Sequence, residues 1–312
     1  MDRRTFLEGV AAAACGTAVW ARGLDVFAEE TRPAVAVTMD DFFFNETPLL
    51  SPAERNRRIL AALDAHAVHA AAFVVGRNAE TDANRALLAE WTKAGHLLGN
   101  HTYSHPSYED TSFAAFSADI LAAENVLERI PGYSRWFRFP YLKEGASAEQ
   151  RDRMRGFLRE RGYRIGHVTI DASDWYVDSR LRERLKTKPD AELAPYRDFY
   201  LDHMWARAMY YDGLAREAVG RTVPHTMLIH FNLLNALFLG DLLSMFAAKG
   251  WRLVDAKTAF ADPFFVSEPK TVPAGESLVW ATAKETGKHA APLRYPAEDG
   301  EYEKPKMDAL GL

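Results

Sequence analysis

The stretch Ala34-Val35-Ala36-Val37-Thr38-Met39-Asp40-Asp41 is a run of small and β-branched residues closed by two adjacent carboxylates. It lacks the apolar/polar alternation of a strand with one wet face. A continuous run of this kind reads as a strand buried on both sides, the situation of a parallel sheet covered by helices. Asp40 and Asp41 then fall at the carboxyl end of the strand, where barrels of parallel strands carry their reactive groups. Taken alone, the pair would equally suit a turn or the cap of a following helix.

Working outward, the same alternation repeats. Ser51-Pro52-Ala53-Glu54 is a capping box with proline at the first helical position, opening a helix to about His69. Ala71 to Val75 reads as a strand, Ala79 to Ala94 as a helix and His96 to Asn100 as a strand. Phe113 to Ile130 follows as a helix, Arg135 to Phe139 as a strand, Ala148 to Arg161 as a helix and Arg164 to Ile170 as a strand. Thr226 to His230 is a further strand, then a helix to about Lys249 and a last strand from Arg252 to Asp255. Strands alternating with helices predict an α/β fold with a parallel sheet, most simply a closed or nearly closed β/α barrel. Two regions interrupt the pattern. Residues 176–222 form a charged, aromatic-containing insertion of helical period, with Tyr196, Phe199, Tyr200, Trp205, Tyr210 and Tyr211 either in a core or along a cleft. Residues 263–312, rich in proline and glycine, read as an extended tail packed on the barrel.

The first thirty residues differ in kind. Arg3-Arg4-Thr5-Phe6-Leu7 precedes a small-residue apolar run from Gly9 to Ala21 and a short segment, Val26-Phe27-Ala28, suited to cleavage. Residues 1–30 are read as a twin-arginine export signal, with periplasmic or extracellular delivery expected. Glu8 and the modest hydrophobicity of the run favour that route over a general secretory signal. Cys15, the only cysteine, sits within this segment, so no disulfide is expected in the remainder. A lipid anchor at Cys15 is disfavoured because no leucine stands three residues before it. The chain of 312 residues is 48% hydrophobic and 26% charged, ordinary for a soluble globular protein. Its net charge of -5 gives no footprint for nucleic acid, and no apolar run is long enough for a spanning helix.

Four further clusters carry chemistry. His101 and His105, in Gly99-Asn100-His101-Thr102-Tyr103-Ser104-His105-Pro106, stand four apart. On one helical turn or a tight helical loop their rings would point to the same side, offering two nitrogens to zinc or a similar ion. Arg138-Phe139-Pro140-Tyr141 ends a strand and could aim a guanidinium at a carboxylate and backbone N–H groups at an oxyanion. Asp171-Ala172-Ser173-Asp174-Trp175 follows another strand; its carboxylates could pair with a histidine and its tryptophan could wall a sugar site. His230 closes the strand Thr226 to Ile229 and could donate a proton to a leaving group. Each cluster alone is compatible with an ordinary turn or surface residue; five of them in order at strand ends supply every part of a metal-assisted deacylation.

In this arrangement the chain resembles the NodB-type polysaccharide deacetylases, carbohydrate esterase family 4, from about Val35 to Asp255. Thr38-Met39-Asp40-Asp41 is similar to the family's Thr-Phe-Asp-Asp, with methionine in place of phenylalanine. His101-Thr102-x-x-His105, Arg138-Phe139-Pro140-Tyr141, Asp171-x-x-Asp174-Trp175 and Leu228-Ile229-His230 are similar to its other four motifs. The resemblance implies a distorted (β/α)7 barrel with a helical insertion before the last motif strand and an extended C-terminal tail. It implies a catalytic domain at 31–262, interrupted by the 176–222 insertion and followed by the 263–312 tail. It implies Asp41, His101 and His105 as ligands of one divalent metal ion, zinc or else cobalt or nickel, and Asp40 as catalytic base oriented by Arg138. It further implies His230 as general acid tuned by Asp174, the Tyr141 N–H in the oxyanion hole, and Trp175 at the substrate. The activity implied is removal of acetyl groups from an N-acetylglucosamine-containing glycan such as chitin or peptidoglycan. The alternatives are an O-acetyl esterase on a polymer such as acetylxylan, or a non-catalytic glycan-binding protein on the same fold.

Overall fold

The computed structural model describes residues 32–293 and 300–312; the leader and Cys15 lie outside the described residues. The chain opens with β1 (Ala34–Asp41), α1 (Pro52–Ala65), β2 (Ala71–Val74), α2 (Asp82–Lys93), β3 (Leu97–Asn100) and α3 (Phe113–Leu127). It continues through β4 (Tyr133–Phe137), β5 (Lys143–Gly145), α4 (Ala148–Glu160), β6 (Arg164–Ile165), α5 (Asp174–Thr187) and α6 (Ala194–Val219). Then come β7 (Pro224–His230), α7 (Leu233–Ala248), β8 (Arg252–Leu253), α8 (Ala256–Phe260), β9 (Ala274–Gly275), α9 (Leu278–Thr286) and α10 (Lys304–Ala309).

The main sheet is parallel, in the order β6-β4-β3-β2-β1-β7, with β8 continuing the β2 side of β1. It curls into a half-barrel with helices outside. β1 sits centrally and is buried along its length up to Met39, as its unbroken apolar run requires. Register places Asp40 opposite both Phe73 of β2 and His230 of β7, so the ends of these strands reach the same level.

The strand expected over Arg164 to Ile170 is split. Residues 164–165 pair with β4, and Ile170 bridges to Met227 of β7, closing the gap that a half-barrel would leave. The cause is packing at Gly166, where a Cβ would lie 2.1 Å from the Phe73 ring. The chain bends inward there over the ring instead of running straight along β4. The barrel is distorted at this seam.

Local signals act where the sequence puts them. Ser51 and Glu54 make both bonds of the capping box at α1, with Pro52 in the first turn. That helix stops at Ala65, because Ala67 takes a left-handed conformation (φ 51°) that turns the chain into β2. Within the insertion, Tyr196, Tyr200, Met204, Ala208, Tyr211 and Ala215 fall on one face of α6 and are buried in the main core. Trp205 packs edge-on against Phe246 and Trp251. These aromatics therefore hold the insertion to the barrel. The C-terminal segment runs without helix over 267–277, and its β9 pairs antiparallel with β5. It then folds two helices that its composition did not signal, α9 with Leu278, Val279, Ala281 and Ala283 buried and α10 with Met307 buried.

Candidate active site

Of the nine residues singled out above, seven lie at the carboxyl ends of the strands or in the loops that follow them, and Asp174 and Trp175 open α5. Seven of the nine, Asp40, Asp41, His101, His105, Tyr141, Trp175 and His230, line one cavity, and Arg138 and Asp174 bond to Asp40 and His230. In a regular strand neighbouring side chains face opposite ways. Asp41 escapes this because its backbone is left-handed (φ 75°), as is that of Phe42 (φ 57°), and both carboxylates turn to the same cavity. The two histidines are carried by a loop and not by a helical turn, which corrects the expected local geometry. Thr102 and His105 have φ of 62° and 63°. The loop is held by the Asp119 carboxylate, which accepts from the Tyr103 and Ser104 N–H groups at 2.8 and 2.9 Å, and by Thr102 Oγ1, which accepts from the His105 N–H at 3.0 Å. Left-handed backbone at non-glycine residues stores energy of order 1–3 kcal/mol each and gathers at functional loops. Here Asp41, Phe42, Thr102, His105, Tyr141 and Leu142 all carry it around one cavity.

Asp41, His101 and His105 each present one donor atom, and these atoms lie within 4.8 Å of one another. His105 Nε2 is 3.2 Å and His101 Nε2 3.6 Å from Asp41 Oδ1. The His101 Nδ1–H donates to the Arg138 carbonyl at 2.9 Å, which fixes the tautomer and leaves the Nε2 lone pair facing Asp41. Burial pushes the imidazoles down to about 3 at His101 and about 4 at His105, so both are neutral at ordinary pH. Asp41 Oδ1 is buried and has no hydrogen-bond partner. Two neutral imidazoles facing an orphaned carboxylate oxygen fit a divalent cation, and that donor set suits zinc.

On one side of this cluster, Arg138 reaches Asp40. Its Nη1 donates to Asp40 Oδ1 and to Thr38 Oγ1, each at 2.9 Å, and its Nε donates to the Gly166 carbonyl at 2.8 Å. The guanidinium lies over the Phe73 ring, 4.2 Å from its centre, and is 1% exposed. Burial raises the Asp40 carboxyl above its usual range while Arg138 opposes that rise. On the other side, the Asp174 carboxylate accepts from His230 Nδ1–H at 2.7 Å and from the His230 backbone N–H at 2.9 Å. Asn232 and Asn235 side chains donate to its Oδ2 at 2.9 and 2.7 Å. Burial would lower His230, but Asp174, with Asp41 and Asp40, outweighs it and the imidazole is pushed up to about 10. A carboxylate and a charged imidazole thus flank the candidate ligands, base-like on one side and acid-like on the other.

The cavity they share measures about 420 Å³. Tyr141, about half exposed, sets its ring edge-on to His105 at 4.6 Å, and Trp175 forms part of the lining with Leu142 and Leu228. Sequence reasoning missed Thr38 as a partner of Arg138, and Asn232 and Asn235 as donors to Asp174. Asn232 also caps α7, accepting from the Asn235 N–H at 2.9 Å, so the only visible signal was an ordinary helix start.

Residues 28–165 match the sequence pattern of the family described as Polysaccharide deacetylase. The chain is similar to the peptidoglycan-N-acetylglucosamine deacetylase of Bacillus cereus, 32% identical over 142 residues, covering 45% of this chain and 46% of the relative. It is similar also to the chitin deacetylase of Colletotrichum lindemuthianum, 31% identical over 150 residues, covering 46% of this chain and 54% of the relative. The chain thus spans about half the length of these curated relatives. Among solved structures, a CE4 family pseudoenzyme from Bacillus anthracis shares the fold at 18% identity and a TM-score of 0.50, over 74% of this chain and 66% of that one. The matched segment carries Asp40, Asp41, His101, His105, Arg138 and Tyr141; Asp174 and His230 lie beyond it and are brought alongside by the sheet. Over residues 28–165, a little under half of its length, the chain is similar to the polysaccharide deacetylase family.

Proposed function

We propose that this protein is an exported, metal-dependent hydrolase that removes acetyl groups from N-acetylglucosamine-containing glycans. The observation that carries the reading is one cavity in which Asp41, His101 and His105 converge between the Asp40–Arg138 pair and the Asp174–His230 pair. The glycan substrate is taken from relatives named as acting on peptidoglycan and chitin. Export rests on the paired arginines and apolar run of residues 1–30. The catalytic domain is assigned to 31–262 with its insertion at 176–222.

Asp41, His101 and His105 would hold a divalent ion, zinc by its donor set, or cobalt or nickel. Such an ion supplies Lewis acidity toward a carbonyl and acidifies water. Asp40, aimed by Arg138, accepts a proton from the attacking water, whose oxygen bonds to the acetyl carbon. The Tyr141 backbone N–H would donate to the resulting oxyanion. His230, held charged by Asp174, gives its proton to the departing nitrogen as the C–N bond breaks, leaving acetate and a free amine. Trp175 offers a face for the sugar ring.

A screen for acetate and free amine over N-acetylglucosamine oligomers, peptidoglycan and acetylxylan tests this reading. Release of both products from the glucosamine-containing substrates is expected. Acetate without amine, from acetylxylan alone, would move the assignment to an O-acetyl esterase; binding without release from any substrate would leave a glycan-binding protein.

A further inference from the structure

The C-terminal segment 300–312 lies far outside the matched family segment, yet it touches the support of the candidate general acid. The Ser173 backbone N–H, fully buried, donates to His203 Nε2 of α6 at 3.0 Å. That bond places the His203 proton on Nδ1, which faces Glu303 Oε1 at 3.5 Å. Glu303, 2% exposed and immediately before α10, also accepts from Arg207 Nη2 at 2.9 Å. Ser173 is the residue before Asp174, whose carboxylate holds His230.

A second set of contacts converges on the same turn. Gly300 (φ +71°) is pressed so closely on the Tyr176 ring that a Cβ there would lie 2.3 Å from Tyr176 Cδ2. Tyr176 packs edge-on against Trp175 with ring centres 5.8 Å apart. Its hydroxyl accepts from Arg180 Nη1 at 3.2 Å, and the same nitrogen donates to Asp308 Oδ1 of α10 at 2.8 Å. Arg180 and Arg184 additionally donate to the Leu312 and Gly311 carbonyls. The first turn of α5, which bears Asp174 and Trp175, is therefore gripped by the C-terminal segment, directly at Tyr176 and through α6 at Ser173. This grip adds to the bonds that His230, Asn232 and Asn235 make to Asp174 in the same turn.

We propose that Glu303 and His203 are positioning residues that fix Ser173, and with it the Asp174–His230 pair, so that the C-terminal segment is a working part of the active site. The proposal rests on the roles given above to Asp174 and His230. Without the relay the Ser173 amide loses its bond to His203 and the backbone that carries Asp174 is less firmly placed, and a small displacement of an acid group is expensive in turnover.

The test uses the full chain with His203→Phe, His203→Gln and Glu303→Gln, followed by hydrogen exchange over residues 172–176, steady-state kinetics and circular dichroism. In His203→Phe, exchange at Ser173 is expected to quicken about tenfold, the effect of one lost buried hydrogen bond, with the global fold retained. Turnover number is expected to fall about tenfold. His203→Gln, whose amide oxygen can accept from Ser173, should restore both quantities, and Glu303→Gln should give an intermediate effect that covers the case of a poorly folded phenylalanine variant. Unchanged exchange at Ser173 in both His203→Phe and Glu303→Gln would overturn the relay. So would a turnover loss that His203→Gln fails to relieve. A wild-type protein that releases no acetate would refute the deacetylase reading while leaving the exchange measurement to judge the relay by itself.

Discussion

Replacing Asp174 by asparagine keeps the volume and removes the charge from a carboxylate that accepts four hydrogen bonds, two of them from His230. The interaction lifts His230 to about 10 against the opposing effect of burial. Measured against an ordinary imidazole near 6.5, this is a preference for the charged form of roughly 4–5 kcal/mol. In the variant burial is opposed by Asp41 and Asp40 alone, so the imidazole should titrate well below its wild-type value. An imidazole returned to its ordinary value near 6.5 would be about one-thirtieth protonated at pH 8, against nearly all in the wild type. Loss of the fixed tautomer adds to this, within the hundred- to ten-thousandfold range typical of general acid–base groups. Turnover at pH 8 should therefore drop at least about a hundredfold, and the deficit should shrink toward pH 6 as the imidazole regains its proton. A folded value raised above the unfolded one stabilises fully below about 6.5, and the effect is lost as pH rises through about 10. The destabilisation caused by Asp174→Asn should accordingly be larger at pH 6 than at pH 10. Acetate release followed from pH 5 to 10 on both proteins decides it. An Asp174→Asn enzyme with turnover within threefold of wild type and an unmoved alkaline limb would refute the reasoning.

Arg138→Met leaves Asp40 buried without its partner; a stability loss of about 3–5 kcal/mol in urea unfolding is expected, with turnover down at least about a hundredfold. Asp212, remote from the cavity, is raised by burial but drawn down to about 2 by His225, Thr222 and Arg216. A folded value below the unfolded one of about 3.9 stabilises above that pH and is lost as pH falls through about 2. Asp212→Asn should thus cost roughly 2 kcal/mol at pH 6, and the gap from wild type should close between pH 4 and pH 2 in denaturant titrations.

What was legible in the chain was the part governed by local chemistry. The unbroken apolar run before Asp40 specifies a buried parallel strand, and Ser51 with Glu54 specifies a helix start, because both signals act within a few residues. The clustering of chemistry-bearing residues at strand ends was legible for the same reason. What escaped depends on contacts between distant residues. Nothing near Gly166 announces that Phe73 will fill the space above it and split the expected strand. The left-handed turns at Asp41, Thr102 and His105 fall on residues other than glycine and are held by side chains that must arrive beside them: Asn78 on the Asp41 carbonyl, Asn100 on the Thr102 N–H and Asp119 on the Tyr103 and Ser104 N–H groups. The aromatics of 194–219 were compatible with either a cleft or a core, and only the packing of α6 shows them in the core. Asn232 and Asn235 looked like a helix cap and nothing more, since their second task needs Asp174, some sixty residues earlier, to arrive beside them.

The central claim is that Asp41, His101 and His105 together hold an ion on which turnover depends. It is tested most directly by measuring bound metal and acetate release on the same samples of wild type, Asp41→Ala, His101→Ala and His105→Ala, before and after stripping with a chelator and after zinc is returned. The account predicts one ion per wild-type chain, acetate release that disappears on stripping and returns with zinc, and variants that neither retain the ion nor turn over. Undiminished release from a wild-type sample shown to contain no metal would contradict it.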